Sequence, residues 1–319
     1  MKALITGVAG FIGSHLAESL LERGHAVVGL DGFTDYYARE IKAGNIASLR
    51  TRPDFRFVES SIQKAPWPAL LDGVTHVFHL AAQPGVRRSW GREFSVYTRA
   101  NVEATQLLLE ACTTVKLERI VYASSSSVYG DGVDIPMRES ARPQPVSPYG
   151  VTKLAAEHLC GLYHRNYALP TVSLRYFTVY GPRQRPDMAF HRFLRALLND
   201  APIEIYGDGE QTRDFTFIED AVRATVAAGR AGVPGRVYNI GGGSRVSINH
   251  VLDVMANIGA HRPTLHRQNA QRGDMRDTLA DTTRAQTDLG FVPSVTLEKG
   301  ILAEYQWLAN SLVPVSETV

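Results

Sequence analysis

Hydrophobic positions in the first half of the chain follow two alternating rhythms. Short runs rich in β-branched and aromatic residues, at Lys2–Thr6, Ala26–Leu30, Phe55–Val58, Thr75–Leu80, Arg119–Ser124 and Thr171–Tyr176, predict strands. Between them, Ile12–Arg23, Glu93–Thr113 and Pro148–Tyr167 repeat their apolar residues at three- and four-residue spacing, which predicts helices. Strands alternating with helices imply a parallel sheet covered on both faces. Right-handed crossovers then give an α/β, doubly wound fold of the Rossmann type.

After Tyr176 the rhythm breaks into loops rich in Gly, Pro and Arg, with helical spacing at Met188–Leu198, Ile218–Gly229, Ile248–Ile258 and Leu297–Leu308. The expected organisation is a dinucleotide-binding domain over 1–176, to which 215–241 returns. A smaller, interleaved substrate domain is expected over 177–214 and 242–319. Val237–Ile240, followed by Gly241-Gly242-Gly243, predicts a strand rejoining the sheet and a tight exit turn. There is no internal repeat.

Composition narrows the field. With 319 residues and 44% hydrophobic content the chain can bury a full core and exceeds the usual size of one domain. Thirty-four Lys and Arg against thirty-two Asp and Glu leave a formal charge of +2, so neither a nucleic acid nor a membrane surface is the expected partner. Arg87, Arg88, Arg183 and Arg185 lie in polar stretches, where they suit an anionic small ligand or simply solvent. Cys112 and Cys160 fall in apolar helical patterns without paired spacing and read as reduced core thiols of a cytoplasmic protein. The opening MKALITGVAGFIG is punctuated by glycine and lacks the cleavage site of a secretion signal.

The first predicted strand runs into Gly7-Val8-Ala9-Gly10-Phe11-Ile12-Gly13 and then a helix, the setting that a dinucleotide-binding loop requires. Gly7 permits the tight turn, Gly10 the close approach of a pyrophosphate, and Gly13 the packing of helix on strand. Asp31 ends the next strand, where a carboxylate accepts from an adenosine ribose hydroxyl. Gly32 and Phe33 follow with no Arg for a 2′-phosphate, which favours NAD over NADP. Tyr149 and Lys153 stand four apart at the start of a predicted helix, on one face, and a nearby ammonium lowers a phenol's pKa. The pair follows Ser124-Ser125-Ser126-Ser127 at the carboxyl end of a strand, where ligand chemistry occurs in open parallel sheets. There is no G-x-S-x-G elbow for a hydrolase. His76 and His79 point to opposite faces of one strand, and no metal site is expected.

With its G-x-x-G-x-x-G loop, serine run and Y-x-x-x-K pair, the chain resembles the extended short-chain dehydrogenase/reductase family of nucleotide-sugar epimerases and dehydratases over nearly its whole length. That resemblance implies a Ser125, Tyr149 and Lys153 triad, in which Tyr149 is the base for the sugar O4 proton and Lys153 also holds the nicotinamide ribose. Leu80, Ala81, Ala82, Ile62 and Tyr176 are expected to line the cofactor, and Asn101 to lie near the nicotinamide. One departure is Ser61, where an Asp commonly approaches the adenine. The resemblance also implies a homodimer through the helices near 93–113 and 148–167.

The second half resembles the nucleotide-clamping half of the same family. Arg213 and the Arg272-Gly273-Asp274 turn match places where arginines meet the diphosphate, and Tyr206, Arg192 and Phe190 would frame uridine. Dehydratases place Asp and Glu where Ser126 and Ser127 stand, and decarboxylases place Glu at Ser127. Without such an acid the cycle stops at hydride out, ketone turned over, hydride back. Arg175 to Met188, with Thr178 and Arg185, resembles UDP-glucuronate 4-epimerases, as does the stretch from Pro84 through Gly85 and Arg87 to Trp90. Ser126, Ser127 and Thr178, with Arg87 or Arg185, would hold a C6 carboxylate. Three alternatives stand beside this: an epimerase for UDP-glucose or UDP-N-acetylglucosamine, a decarboxylase, and a non-catalytic NAD-binding module.

Overall fold

The computed structural model describes residues 1–312. Its first six strands are β1 (Lys2–Thr6), β2 (Ala26–Asp31), β3 (Phe55–Glu59), β4 (His76–His79), β5 (Arg119–Ser125) and β6 (Thr171–Tyr176). Short strands β7 (Val179–Tyr180), β8 (Ile203–Tyr206), β9 (Thr212–Asp214) and β10 (Thr216–Phe217) follow, then β11 (Val237–Ile240), β12 (Arg245–Ser247) and β13 (Leu265–Gln268). The main sheet has the order β11-β6-β5-β4-β1-β2-β3 and is parallel throughout. Strand order reverses between β1 and β4, so the crevice beyond their carboxyl ends is the place where such a sheet takes a ligand. The remaining short strands pair as β7 with β10, β9 with β12 and β8 with β13.

The period of two along each strand divides the core. Ala3 and Ile5 face one apolar layer with Leu16 and Leu20 of the Phe11–Glu22 helix and Ala221 of the Ile218–Ala231 helix. Leu4, between them, faces the other layer with Leu108 and Leu109 of the Ala104–Cys112 helix and Ala156 of the Pro148–Tyr167 helix. Cys112 and Cys160 are free and buried in this second layer. His79 reaches Thr6 and Thr105 on the same side, and His76 leaves on the other.

Strands β2, β3 and β5 each run one residue further than the apolar pattern suggests. Parallel pairing carries β2 to Asp31, opposite Glu59, and β5 to Ser125, opposite Tyr176. The extensions of β2 and β5 end on Asp31 and Ser125, which line one cavity. The helix expected over 93–113 is divided into Phe94–Tyr97 and Ala104–Cys112 by a π-helical turn, Thr98–Glu103. Such widened turns commonly mark functional positions. The Pro148–Tyr167 helix starts as its sequence dictates: Pro148 occupies the first turn and Ser147 Oγ accepts from Gly150 N at 3.1 Å.

Candidate active site

A cavity of about 710 Å³ opens at the carboxyl ends of the central strands. The glycine loop forms its floor. Gly7 has φ 73°, and a Cβ there would stand 2.7 Å from Ala81 N. A Cβ on Gly13 would stand 2.1 Å from Gly7 O, closer than atoms can approach. Gly10 precedes the Phe11–Glu22 helix without a side-chain cap, which leaves first-turn N–H groups free for an anion. Asp31 Oδ2 accepts from Ala9 N at 3.0 Å and Oδ1 from Phe33 N at 2.9 Å, so this carboxylate ties the loop to the end of β2. Burial pushes the Asp31 carboxyl up from its ordinary value, and those two bonds oppose the shift. Phe11, Ile12, Gly32, Ser61, Ile62, Leu80, Ala81, Ala82 and Tyr176 line the same cavity. This cradle, which any Cβ would fill, fits a dinucleotide such as NAD.

Two expected cofactor contacts are corrected. Phe33 adopts φ 45° and turns its ring into the core against Phe57, with ring centroids 5.5 Å apart. Its N–H on Asp31 is its link to the site. Asn101 is buried, its Oδ1 accepting from Gln83 N at 2.7 Å while its Nδ2 donates to Gln83 O and Thr152 Oγ1. Its side-chain bonds are thus committed to the loop after β4 and to the Pro148–Tyr167 helix, and Asn101 does not line the cavity.

Ser125, Tyr149 and Lys153 converge on the cavity wall. Ser125 Oγ accepts from Ser127 N at 3.1 Å, which fixes the turn that presents Ser126 and Ser127. Burial raises the Tyr149 pKa, while a hydrogen bond with Ser125 and the charge of Arg185 lower it. The cation easing Tyr149 ionisation is therefore Arg185, whereas spacing alone points to Lys153. The Lys153 amine instead lies 4.5 Å over the Tyr122 ring, and burial brings its pKa down to about 7, against the raising effect of Cys160 and Glu157. Burial, then Lys153, lowers His79 to about 3, so this histidine is a neutral bridge between Thr6 and Thr105.

The arginines divide between two places. Arg185 lines the main cavity, and its Nε and Nη2 donate to Asp187 Oδ1 and Oδ2, both at 3.0 Å. Arg87 lies elsewhere, with Nη2 2.8 Å from Asp274 Oδ2 and its guanidinium 4.1 Å from the Tyr206 ring centroid. Arg192 approaches the same ring at 5.9 Å and pairs with Glu204 at 3.5 Å. Arg213 joins Ser126, Ser127, Thr178 and Asp274 around a smaller cavity of about 160 Å³. Gly85 lines the main cavity, and Arg272 is exposed beside Gly273. Phe190 is corrected to a core residue: it is 1% exposed and packs on Phe215 and Tyr180 at 4.6 and 5.0 Å.

Several contributors are missed by sequence reasoning. Tyr97 Oη donates to both Pro84 O and Gly85 O at 2.8 Å, and its ring meets Tyr149 edge-on at 6.3 Å. Glu157, on the Pro148–Tyr167 helix, takes Arg175 at 2.6 Å and Ser124 Oγ at 2.6 Å. Glu157 stands four residues after Lys153, a spacing that flags it once the helix face is known. Asp214 is fully buried and accepts from Gly242 N and Ala280 N, and burial raises its carboxyl to about 6 against those bonds. Among the described residues, no three His, Cys, Asp or Glu gather as a metal site, and no helix is long and apolar enough to cross a membrane.

The comparisons with known proteins agree with this geometry. The chain is 43% identical to the uncharacterized UDP-glucose epimerase YtcB of Bacillus subtilis (strain 168), over 97% of this chain and 98% of that one. It is 36% identical to a UDP-glucuronate 4-epimerase of Thermodesulfobacterium geofontis (strain OPF15), over 97% and 96%. The crystal structure of UDP-glucuronic acid 4-epimerase from Bacillus cereus, in complex with UDP-glucuronic acid and NAD, superposes with a TM-score of 0.95 at 46% identity, covering 98% of this chain and 100% of that one. The model of the NAD dependent epimerase/dehydratase family matches residues 3–241, and the chain belongs to that family.

Proposed function

We propose that the protein interconverts UDP-glucuronate and UDP-galacturonate by NAD-dependent 4-epimerisation. Held by the glycine loop, Asp31 and Lys153, NAD would supply the acceptor, and then the donor, of the hydride at the sugar C4. Tyr149 removes the O4 proton and later restores it, with its ionised form favoured by the Ser125 hydroxyl and the Arg185 charge. The buried Lys153 amine holds the ribose side. Ser126, Ser127 and Thr178 supply hydroxyls to the sugar, and Arg87, Arg213 and Tyr206 bind the UDP end, so that 177–214 and 242–319 carry the nucleotide sugar.

The observation that carries the reading is the company Tyr149 keeps. The hydroxyls of Ser125, Ser126, Ser127 and Thr178 and the Arg185 guanidinium line the main cavity with Tyr149, whereas Arg213 and Asp274 lie beyond the serines around the smaller cavity. Although burial would raise the nearby Asp187 carboxyl, the Arg185 charge and hydrogen bonds hold it below its ordinary value, so it remains ionised. Oxidation at C4 makes a β-keto acid, and with no acid to protonate the carbanion, loss of CO₂ is unassisted. The relatives with UDP-glucuronate in their names, and the complex with UDP-glucuronic acid and NAD, support the same substrate. A second reading, UDP-glucose as substrate, is supported by the name of the Bacillus subtilis relative and by three hydroxyls that suit a neutral C6 group.

The deciding measurement is kcat/KM for UDP-glucuronate and UDP-glucose side by side, with UDP-pentose scored as by-product. UDP-glucuronate is expected to win, with little pentose. Preference for UDP-glucose overturns the carboxylate assignment, and abundant pentose overturns the epimerase. We further propose a homodimer: Val151 and Leu162 are exposed, eleven residues and three turns apart on one face of the Pro148–Tyr167 helix, near exposed Phe94. A monomer by light scattering at micromolar concentration removes that part. Two buried free thiols fit a cytoplasmic setting.

A further inference from the structure

Arg185 has five N–H donors in a fixed fork, and Asp187 occupies its most directional edge. Tyr36 Oη donates to the same Asp187 Oδ2 at 3.2 Å. Tyr36 is itself confined. A Cβ on Gly85 would stand 2.4 Å from Tyr36 Oη, and the Arg88 guanidinium lies 5.1 Å from its ring centroid. Three segments of distant sequence thus meet to hold one carboxylate against one guanidinium. The Arg185 side chain is 20% exposed, its Nη1 edge uncommitted to Asp187.

We propose that Asp187, steadied by Tyr36, is a positioning residue that keeps the side-on edge of Arg185 occupied, so that a sugar carboxylate meets only the end-on edge, whose Nη2 and charge are already shared, and is released when the ketone turns over. The inference rests on the uronate reading above. Epimerisation requires the 4-keto sugar to present its opposite face to the cofactor, and that rotation sweeps C6, with its carboxylate, through the site. A carboxylate held by two parallel N–H bonds is fixed in position and plane. A fork free to take it that way would bind the ground state well and resist the rotation. Asp187 takes the side-on fork, and the end-on pair that remains shares both its Nη2 and its charge with Asp187, so its grip on a second carboxylate is weaker while Arg185 stays charged.

The test measures steady-state constants for UDP-glucuronate with the wild type, Asp187→Asn and Tyr36→Phe. Asp187→Asn is expected to lower KM by roughly threefold or more and kcat by about tenfold, the split produced when ground-state binding strengthens at the expense of a later step. The reduced-nicotinamide band should grow in the steady state, because ketone accumulates before rotation. Tyr36→Phe, which deletes one bond to Asp187, should shift both constants the same way by less. The inhibition constant of UDP, which carries no carboxylate, should stay unchanged. If the wild type does not turn over UDP-glucuronate, the uronate reading falls and this inference with it. If it does, and both variants leave the constants unmoved, raise KM, or move the UDP constant equally, the inference alone falls. Should Asp187→Asn fail to fold, Tyr36→Phe decides by the same criteria.

Discussion

The two ends of the cavity are built on different plans. At the cofactor end, Gly7, Gly10, Gly13 and Asp31 act through a backbone path 25 residues long, and the sheet holds them. At the sugar end, Ser126, Thr178, Arg185 and Tyr36 arrive from four separate segments, and the Tyr36 contact with Asp187 spans 151 residues of sequence. The first plan yields one rigid cradle, whereas the second yields a surface whose specificity changes without disturbing the fold.

The sharpest way to break this comparison is at the residue between the two ends. Tyr149→Phe keeps the ring that packs on Tyr97 and deletes only the ionisable oxygen. Turnover should fall by ~10²–10⁴-fold, the usual contribution of a general base, with bound NAD and melting temperature unchanged. Near-normal turnover would mean that another group takes the O4 proton.

Gly13→Ala tests the rigid end. Its Cβ would meet a backbone carbonyl that cannot rotate away, so the loop must shift. Overpacking of this kind costs about 1–3 kcal/mol, and here it should appear both as a lower melting temperature and as protein purified without NAD. Full NAD content in the variant would show that the cradle is softer than its contacts indicate.

These plans also explain what was legible in the sequence. Strands β1 to β6, the glycine loop and the Tyr149–Lys153 face could be read because local spacing determines them. The roles of Phe33, Asn101 and Phe190 could not. Phe33 follows Asp31 in sequence, but its positive φ turns the ring inward. Asn101 lies in a π-helical turn that no apolar period announces, and Gln83 and Thr152 claim its amide. Phe190 sits on an amphipathic helix whose apolar face is core, and only the tertiary packing with Phe215 reveals which face that is. Choosing between Arg87 and Arg185 likewise needed Asp274 and Asp187, partners 187 and 2 residues away.

That division of the arginines can be sharpened with two variants. Arg185→Ala should raise KM for UDP-glucuronate by roughly tenfold or more, since a hydrogen bond to a charged group contributes ~1.5–3 kcal/mol, and should leave UDP inhibition intact. Arg87→Ala should weaken UDP itself. Because the Arg185 charge lowers the Tyr149 pKa, its removal should also move the acidic limb of the kcat profile to higher pH. If both variants weaken UDP alike, the two arginines serve one place and the proposed separation is wrong.

The smallest expected effect belongs to Lys153 and tests the cofactor end with NAD stripped away. Its amine is pressed down to about 7 by burial, well below its value in an unfolded chain. Between those values the unfolded chain holds the proton and the fold does not, so unfolding takes up a proton and stability rises with pH. Toward pH 7 the dependence flattens, because the folded amine then begins to hold the proton as the unfolded one does. From pH 7 to 8.5 the gain should be roughly 1–2 kcal/mol, bounded by about 1.4 kcal/mol per pH unit. Buried thiols work in the opposite direction at the upper edge of this window, since Cys112 is pushed up to about 12 while a thiol of the unfolded chain is half-ionised at pH ~8.5. Urea unfolding of apo wild type and Lys153→Met across this window isolates the effect, since titrations that do not sense Lys153 cancel in the difference and His79, at about 3, lies below the window. Wild-type stability should climb relative to the variant. Parallel curves would mean that the amine is hydrated in the apo fold, and that the cradle becomes a dry site only when the cofactor closes it.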